Sequence, residues 1–179
     1  DDDGISWRES TITKDKWGHE PSITWHFDGS ILMDVRPFSK SEGGWRGDVR
    51  VRLRSFDDGE TWHEWKDVVP PKSNNNAGSI YADHTTGLVF QTLTEHDIPG
   101  RREMFRFLVS TDGGKSFPYM YKPFPDSRYV GYSQIIKYDE GVYMVSAEYS
   151  TNVNGKYSQQ GSRVIFLTLN EVLNNVTYS

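Results

Sequence analysis

Ser55-Phe56-Asp57-Asp58-Gly59-Glu60-Thr61-Trp62 is the stretch whose reading decides the fold. A second copy reads Ser110-Thr111-Asp112-Gly113-Gly114-Lys115-Ser116-Phe117, and a third, shortened one opens the chain as Asp2-Asp3-Gly4-Ile5-Ser6-Trp7. Their glycines, Gly4, Gly59 and Gly114, stand at equal intervals of 55 residues. One interval kept twice predicts a structural repeat, and this length suits one four-stranded propeller blade.

Each motif position has a mechanical reason. A short Asp in a turn accepts backbone N–H bonds from residues just ahead of it. Glycine admits the positive φ of a tight hairpin, and the closing Trp or Phe starts the next strand. Asp57 and Asp112 therefore read as structural carboxylates. Working outward, Ser22–Phe27, Ile31–Arg36, Asp48–Ser55 and Trp62–Val69 form one predicted round of strands. Gly78–Ala82, Leu88–Thr94, Met104–Ser110 and Phe117–Lys122 form the next, and Ser133–Tyr138, Val142–Glu148 and Arg163–Leu169 begin a third. Where a fourth motif is due, Leu169-Asn170-Glu171-Val172-Leu173 reads as helical or terminal.

Composition agrees with strands: aromatic residues make up 14% of the 179 residues, and glycine-rich turns separate short apolar alternations. A formal charge of −5 argues against a broad nucleic-acid-binding face. No apolar run reaches the length of a membrane-spanning helix, and no stretch reads as a signal peptide. The absence of cysteine excludes disulfide and thiolate chemistry. The five histidines, His19, His26, His63, His84 and His96, lack metal-ligand spacing, so no metal site is expected. The Gly43-Gly44-Trp45-Arg46-Gly47 loop lacks the lysine and following helix of a phosphate cradle. Its Trp45 could stack on a sugar or brace a long loop. Asn175-Val176-Thr177 fits a glycosylation sequon, a pattern short enough to arise by chance.

The repeated turn resembles the Asp-box of sialidase-type β-propellers, and other segments extend the resemblance along essentially the whole chain. His19-Glu20-Pro21-Ser22-Ile23, then Asp28-Gly29-Ser30-Ile31-Leu32-Met33-Asp34-Val35-Arg36, is similar to the family pattern Asn-Glu-x-x-hydrophobic, Asp-Gly, Met-Asn-x-Arg. His19 and Asp34 stand where the family has asparagines. Arg102-Glu103-Met104-Phe105-Arg106-Phe107 resembles the segment before the family's next box, and counting back from Ser110 favours Arg102 over Arg101. Gly131-Tyr132-Ser133, with Glu148 downstream, resembles the family's Tyr-Ser segment and its following Glu.

The resemblance implies an all-β propeller of about three four-stranded antiparallel blades, with residues 1–179 the C-terminal half of a six-bladed catalytic domain. It implies Tyr132 as nucleophile, Glu20 as its base, and Arg36 and Arg102 as two of three arginines that bind the substrate carboxylate. Glu148 is read as supportive. The third arginine and an aspartate acid/base would lie in the missing N-terminal half, on the same or a separate chain. A half-propeller that closes its ring by dimerising is the alternative. The implied activity is exo-α-sialidase on sialylated glycans, with neither cofactor nor metal, in a secreted or cell-surface protein. Trans-sialidase, intramolecular and related nonulosonic-acid variants stay open.

The residue types suit that chemistry. Sialic acid carries a carboxylate on its anomeric carbon, and a guanidinium binds a carboxylate through two parallel charge-assisted bonds. A carboxylate nucleophile would be repelled there, whereas sialidases use tyrosine. A phenol needs a nearby base to attack at neutral pH. Bland readings stand beside these. Tyr132 is one of ten tyrosines and could be packing; Arg36 and Arg102 could pair with Asp34 and Glu103; Glu20 could be solvated before Pro21. Two other functions compete: a non-catalytic Asp-box scaffold that binds sugar or protein, and a glycosidase for neutral glycans with paired carboxylates.

Overall fold

The computed structural model describes residues 4–9, 18–36, 50–66, 77–95, 104–124, 129–153 and 156–178. These form three antiparallel sheets and one short helix. The first sheet runs β1 (His19–Trp25), β2 (Ile31–Arg36), β3 (Val51–Ser55) and β4 (His63–Glu64) in sequence order. The second contains β5 (Ser79–Asp83), β6 (Leu88–Thr94), β7 (Phe105–Ser110) and β8 (Tyr119–Tyr121). The third holds β9 (Tyr129–Asp139), β10 (Val142–Val153) and β11 (Lys156–Thr168).

The expectation of equal four-stranded blades holds only for the first sheet. After β11 the chain enters α1 (Leu169–Asn175), capped by the Thr168 hydroxyl, which accepts from Glu171 N. The helix buries Val172 in the core and delivers β12 (Thr177–Tyr178) to the free edge of β8. The second sheet thereby has five strands and the third has three. β10 and β11 also run well past their predicted ends, as one long hairpin.

Both motif turns fold alike. Ser55 Oγ donates to Asp57 Oδ1 at 2.8 Å and accepts from Gly59 N at 2.8 Å. Asp57 then receives Thr61 N at 2.8 Å and Thr61 Oγ1 at 2.6 Å. Ser110, Asp112, Gly114 and Ser116 repeat these four bonds at 2.7, 2.8, 2.9 and 2.6 Å. The Thr61 bonds above all hold the Asp57 carboxyl down to about 2, so it stays charged and fully engaged.

The sheets pack face to face. Phe90, Phe107 and Val109 of the second sheet meet Ile135, Tyr143, Val145 and Leu167 of the third. Leu32 of the first meets Ile80, Val89, Leu93 and Leu108 of the second. The other face of β2 and β3 buries Met33, Val35, Val51 and Leu53 with Trp62. Alternation along β2 and β3 therefore puts Leu32, Asp34, Arg36 and Arg52 towards the second sheet.

Candidate active site

β1, β5 and β9 are the edge strands through which the three sheets meet, and side-chain hydroxyls stitch them together. Ser22 Oγ accepts from Ile80 N at 3.0 Å, and Thr24 Oγ1 accepts from Ala82 N at 3.0 Å. Ser79 Oγ accepts from Ile135 N at 3.1 Å. Edge N–H groups that have no strand partner are thus satisfied by the neighbouring sheet, and the three strands are fixed in register with one another. They line a cavity of about 670 Å³ whose walls include Glu20, Ser22, Gly78, Tyr132, Ser133 and Glu148.

Two β-bulges aim the polar groups into this cavity. The β1–β2 register shifts between His19 and Ser22, and Glu20 lies inside that irregularity with φ +53°. A left-handed backbone at a non-glycine residue costs on the order of 1 kcal/mol, a strain that concentrates at functional sites. The β9–β10 register shifts between Ala147 and Tyr149, so that Gly131 and Tyr132 face the single residue Glu148. Gly131 lies close against this residue: a Cβ would stand 2.8 Å from Glu148 Oε2, the movable end of that side chain, and 3.3 Å from its Cβ. Bulges re-aim side chains in this way next to active sites.

The resulting contacts join residues 112 positions apart. Tyr132 OH donates to Glu20 Oε1 at 3.0 Å, while Arg36 Nη1 donates to Glu20 Oε2 at 2.7 Å. Arg36 is nearly buried, its side chain 8% exposed, and that of Glu20 is 23% exposed. Tyr132 is 42% exposed and opens to the cavity. One carboxylate thus divides its two oxygens between a phenol and a guanidinium. Glu20 is not simply solvated ahead of Pro21. Arg36 does not pair with Asp34, which bonds Arg50 Nε at 2.5 Å and Arg52 Nε at 2.7 Å. Glu148 lines the same cavity. Arg101 and Arg102 lie outside the described residues, as do Trp45 and His96.

The buried Asp34–Arg50–Arg52 cluster was not legible in the sequence. Arg52 continues to Gln91 Oε1 and lies 4.9 Å from the ring centre of Phe117, the aromatic of the second motif turn. Burial pushes the Arg52 guanidinium down, Asp34 pulls it back up, and the adjacent Arg50 charge pushes it down again. Among the described residues no group of His, Asp and Glu is arranged to hold a metal ion. No described helix is long and apolar enough to cross a membrane.

No family model and no curated protein matches the chain. Solved structures do. The intramolecular trans-sialidase of Ruminococcus gnavus superposes on 96% of this chain with a TM-score of 0.69 and 15% identity, over 37% of its own length. The Trypanosoma rangeli sialidase matches 97% of the chain at 0.67 and 18% identity, over 27% of its length. The K499G mutant of the Streptococcus pneumoniae NanB sialidase matches 99% at 0.64 and 17% identity, again over 27%. The chain therefore shares the fold of the corresponding parts of these proteins and spans about a quarter to just over a third of their length.

Proposed function

We propose that this chain carries the nucleophile side of an exo-α-sialidase active site, a retaining glycoside hydrolase that releases terminal sialic acid from glycoconjugates. The observation that carries the reading is the Tyr132–Glu20–Arg36 arrangement, with its 3.0 Å and 2.7 Å bonds, facing an open cavity. The sialidase fold of the neighbouring structures supports it, and the motif turns are then Asp-boxes.

On this reading Tyr132 loses its proton to Glu20 Oε1 as its phenol oxygen attacks the anomeric carbon. The glycosidic bond breaks, and the departing alcohol takes a proton from an acid outside the described residues. Water then attacks the anomeric carbon from the face opposite Tyr132 and gives a proton to that same acid, now a base, while Glu20 returns its proton to the departing phenolate, so configuration is retained. Arg36 has two tasks: it holds Glu20 in place and presents its guanidinium to the substrate carboxylate, with Arg102 as a second clamp. The third arginine and the acid/base aspartate belong to a remainder of the fold that this chain does not supply. Such a protein would meet its glycans as a secreted or cell-surface enzyme.

The test is release of fluorophore from a fluorogenic sialoside, by the chain and by a polypeptide that adds the rest of the fold, each beside its Tyr132→Phe variant. Activity of the longer protein that Tyr132→Phe lowers by at least about a hundred-fold is the expected result. A folded longer protein that neither hydrolyses the sialoside nor binds an unsaturated sialic acid analogue overturns the reading in favour of a non-catalytic scaffold.

A further inference from the structure

β5 stands between the strand that carries Glu20 and the strand that carries Tyr132, and its Ser79-Ile80 pair serves both. Ile80 N donates to Ser22 Oγ at 3.0 Å, two residues beyond Glu20. Ser79 N donates at 3.0 Å to the hydroxyl of Thr92, its register partner on β6. That same hydroxyl accepts from Ser133 Oγ at 2.8 Å, one residue beyond Tyr132. Both anchored serines stand where a ladder resumes its regular register. Ser22 faces Asp34 beside the shift that contains Glu20, and Ser133 faces Ala147 beside the shift that contains Tyr132.

The two anchors differ in kind. Ser22 is bonded to β5 directly, whereas Ser133 reaches it through Thr92, a fully buried side chain on the next strand. A hydroxyl oxygen has two lone pairs, and here a backbone N–H and a serine O–H take one each. Because β5 fixes that oxygen from one side, it is a fixed point for Ser133 on the other. A bulge disrupts its ladder locally. Within the bulge at Gly131-Tyr132 the phenol therefore takes its position from the nearest fixed residue, which is Ser133.

We propose that Thr92 is a positioning residue for the candidate active site: its hydroxyl, fixed by Ser79 N, holds Ser133 and so places the Tyr132 phenol within reach of Glu20. It touches no substrate. Valine keeps the branched shape of this side chain and removes its oxygen, while serine keeps the oxygen and removes the methyl. Thr92→Val therefore releases Ser133 and lets the phenol withdraw from Glu20, and Thr92→Ser does not.

The experiment reads the 13Cζ resonance of Tyr132, identified by its disappearance in Tyr132→Phe, in the 179-residue chain. Glu20→Gln supplies the position expected when the carboxylate acceptor is gone. Thr92→Val and Ser133→Ala are each expected to move the resonance towards that position, and Thr92→Ser to leave it in place. Ser79→Ala is the control for a merely loosened seam: it removes the acceptor of Ile135 N and keeps both bonds of Thr92, so the resonance should not move. A folded Thr92→Val chain with an unmoved resonance overturns the proposal. So does a displacement as large in Thr92→Ser or in Ser79→Ala. If Thr92→Val does not fold, Ser133→Ala decides: a displaced resonance supports the proposal, and an unmoved one overturns it. The consequence for turnover rests on the sialidase reading. In an active longer protein Thr92→Val lowers kcat by at least about ten-fold with KM changed by less than about two-fold, and Thr92→Ser does neither. Absence of hydrolysis refutes that reading alone and leaves the resonance to decide this one.

Discussion

Gly78→Ala is the substitution whose cost can be worked most directly from the geometry. A Cβ on Gly78 would stand 2.1 Å from the backbone oxygen of Thr92 and 3.7 Å from Arg50 Cζ. Real Cβ atoms do not approach within 3.0 Å, so β5 must withdraw from β6 by nearly an ångström. A carbonyl within a ladder cannot step aside as a flexible side chain would. The displacement stretches the bond from Ser79 N to Thr92 Oγ1, now 3.0 Å, and the one from Ile135 N to Ser79 Oγ, now 3.1 Å. Overpacking costs about 1–3 kcal/mol and each of the two weakened bonds about 1 kcal/mol, for a total of about 3–5 kcal/mol. In a chain of this size that lowers Tm by roughly 6–20 °C. The assay is urea or thermal unfolding beside Gly29→Ala, where φ is +83° but nothing lies within 4 Å of the new methyl. Gly29→Ala tests backbone strain alone, about 1 kcal/mol. A Gly78→Ala loss no larger than that of Gly29→Ala refutes the close-approach argument.

Two further predictions concern the seams between sheets. Ser79→Ala removes the acceptor for Ile135 N in a buried strand, which costs about 1–3 kcal/mol and is read as faster hydrogen exchange at Ile135; unchanged exchange there refutes the stitching role. Asp83, 1% exposed, accepts from Tyr143 OH at 2.5 Å and from Lys137 at 3.2 Å. Burial raises its carboxyl, but the Tyr143 bond and its other partners outweigh this and bring it from 3.8 to about 2. Because the folded value lies below the unfolded one, the stabilisation, about 2 kcal/mol, is complete above about pH 4 and fades as pH falls towards 2. Unfolding free energies at pH 5 and 2.5 should therefore fall by about 1.5 kcal/mol more in the wild type than in Asp83→Asn; equal falls refute it.

Much of this structure is legible from the repeat. The turn motif fixes where hairpins lie, and β2 and β6 begin and end where alternation places them, at Ile31–Arg36 and Leu88–Thr94. Glu20, Arg36 and Tyr132 were legible only as a family pattern, since nothing in their local sequence brings positions 20 and 132 together. The sequence Arg50-Val51-Arg52-Leu53 explains the largest omission. Its alternation reads as a strand with one face in water, because charged side chains are rarely fully buried. Here a second sheet covers that face, and Asp34 supplies the charge that permits it. A covering sheet is a tertiary fact, invisible to any pattern confined to one strand. The same holds for α1, whose helical character is local but whose delivery of β12 to β8 depends on where β8 leaves its edge open.

The site is therefore built from three strands that share no backbone ladder. Each of β1, β5 and β9 is an edge, and an edge ordinarily invites pairing with whatever strand is near. Ser22, Thr24 and Ser79 occupy its N–H groups with hydroxyls instead, which leaves the sheets splayed around an open cavity and still locked together. Within that frame a regular strand would alternate its side chains evenly between cavity and core. The bulges at Glu20 and at Gly131-Tyr132 break the alternation at the two points where a carboxylate and a phenol must meet across the gap. The strain of Glu20 is compatible with folding because its carboxylate is held at both oxygens. Geometry of this kind explains how one fold keeps a rigid frame of turns and seams while the polar groups at the ends of its inner strands are aimed separately.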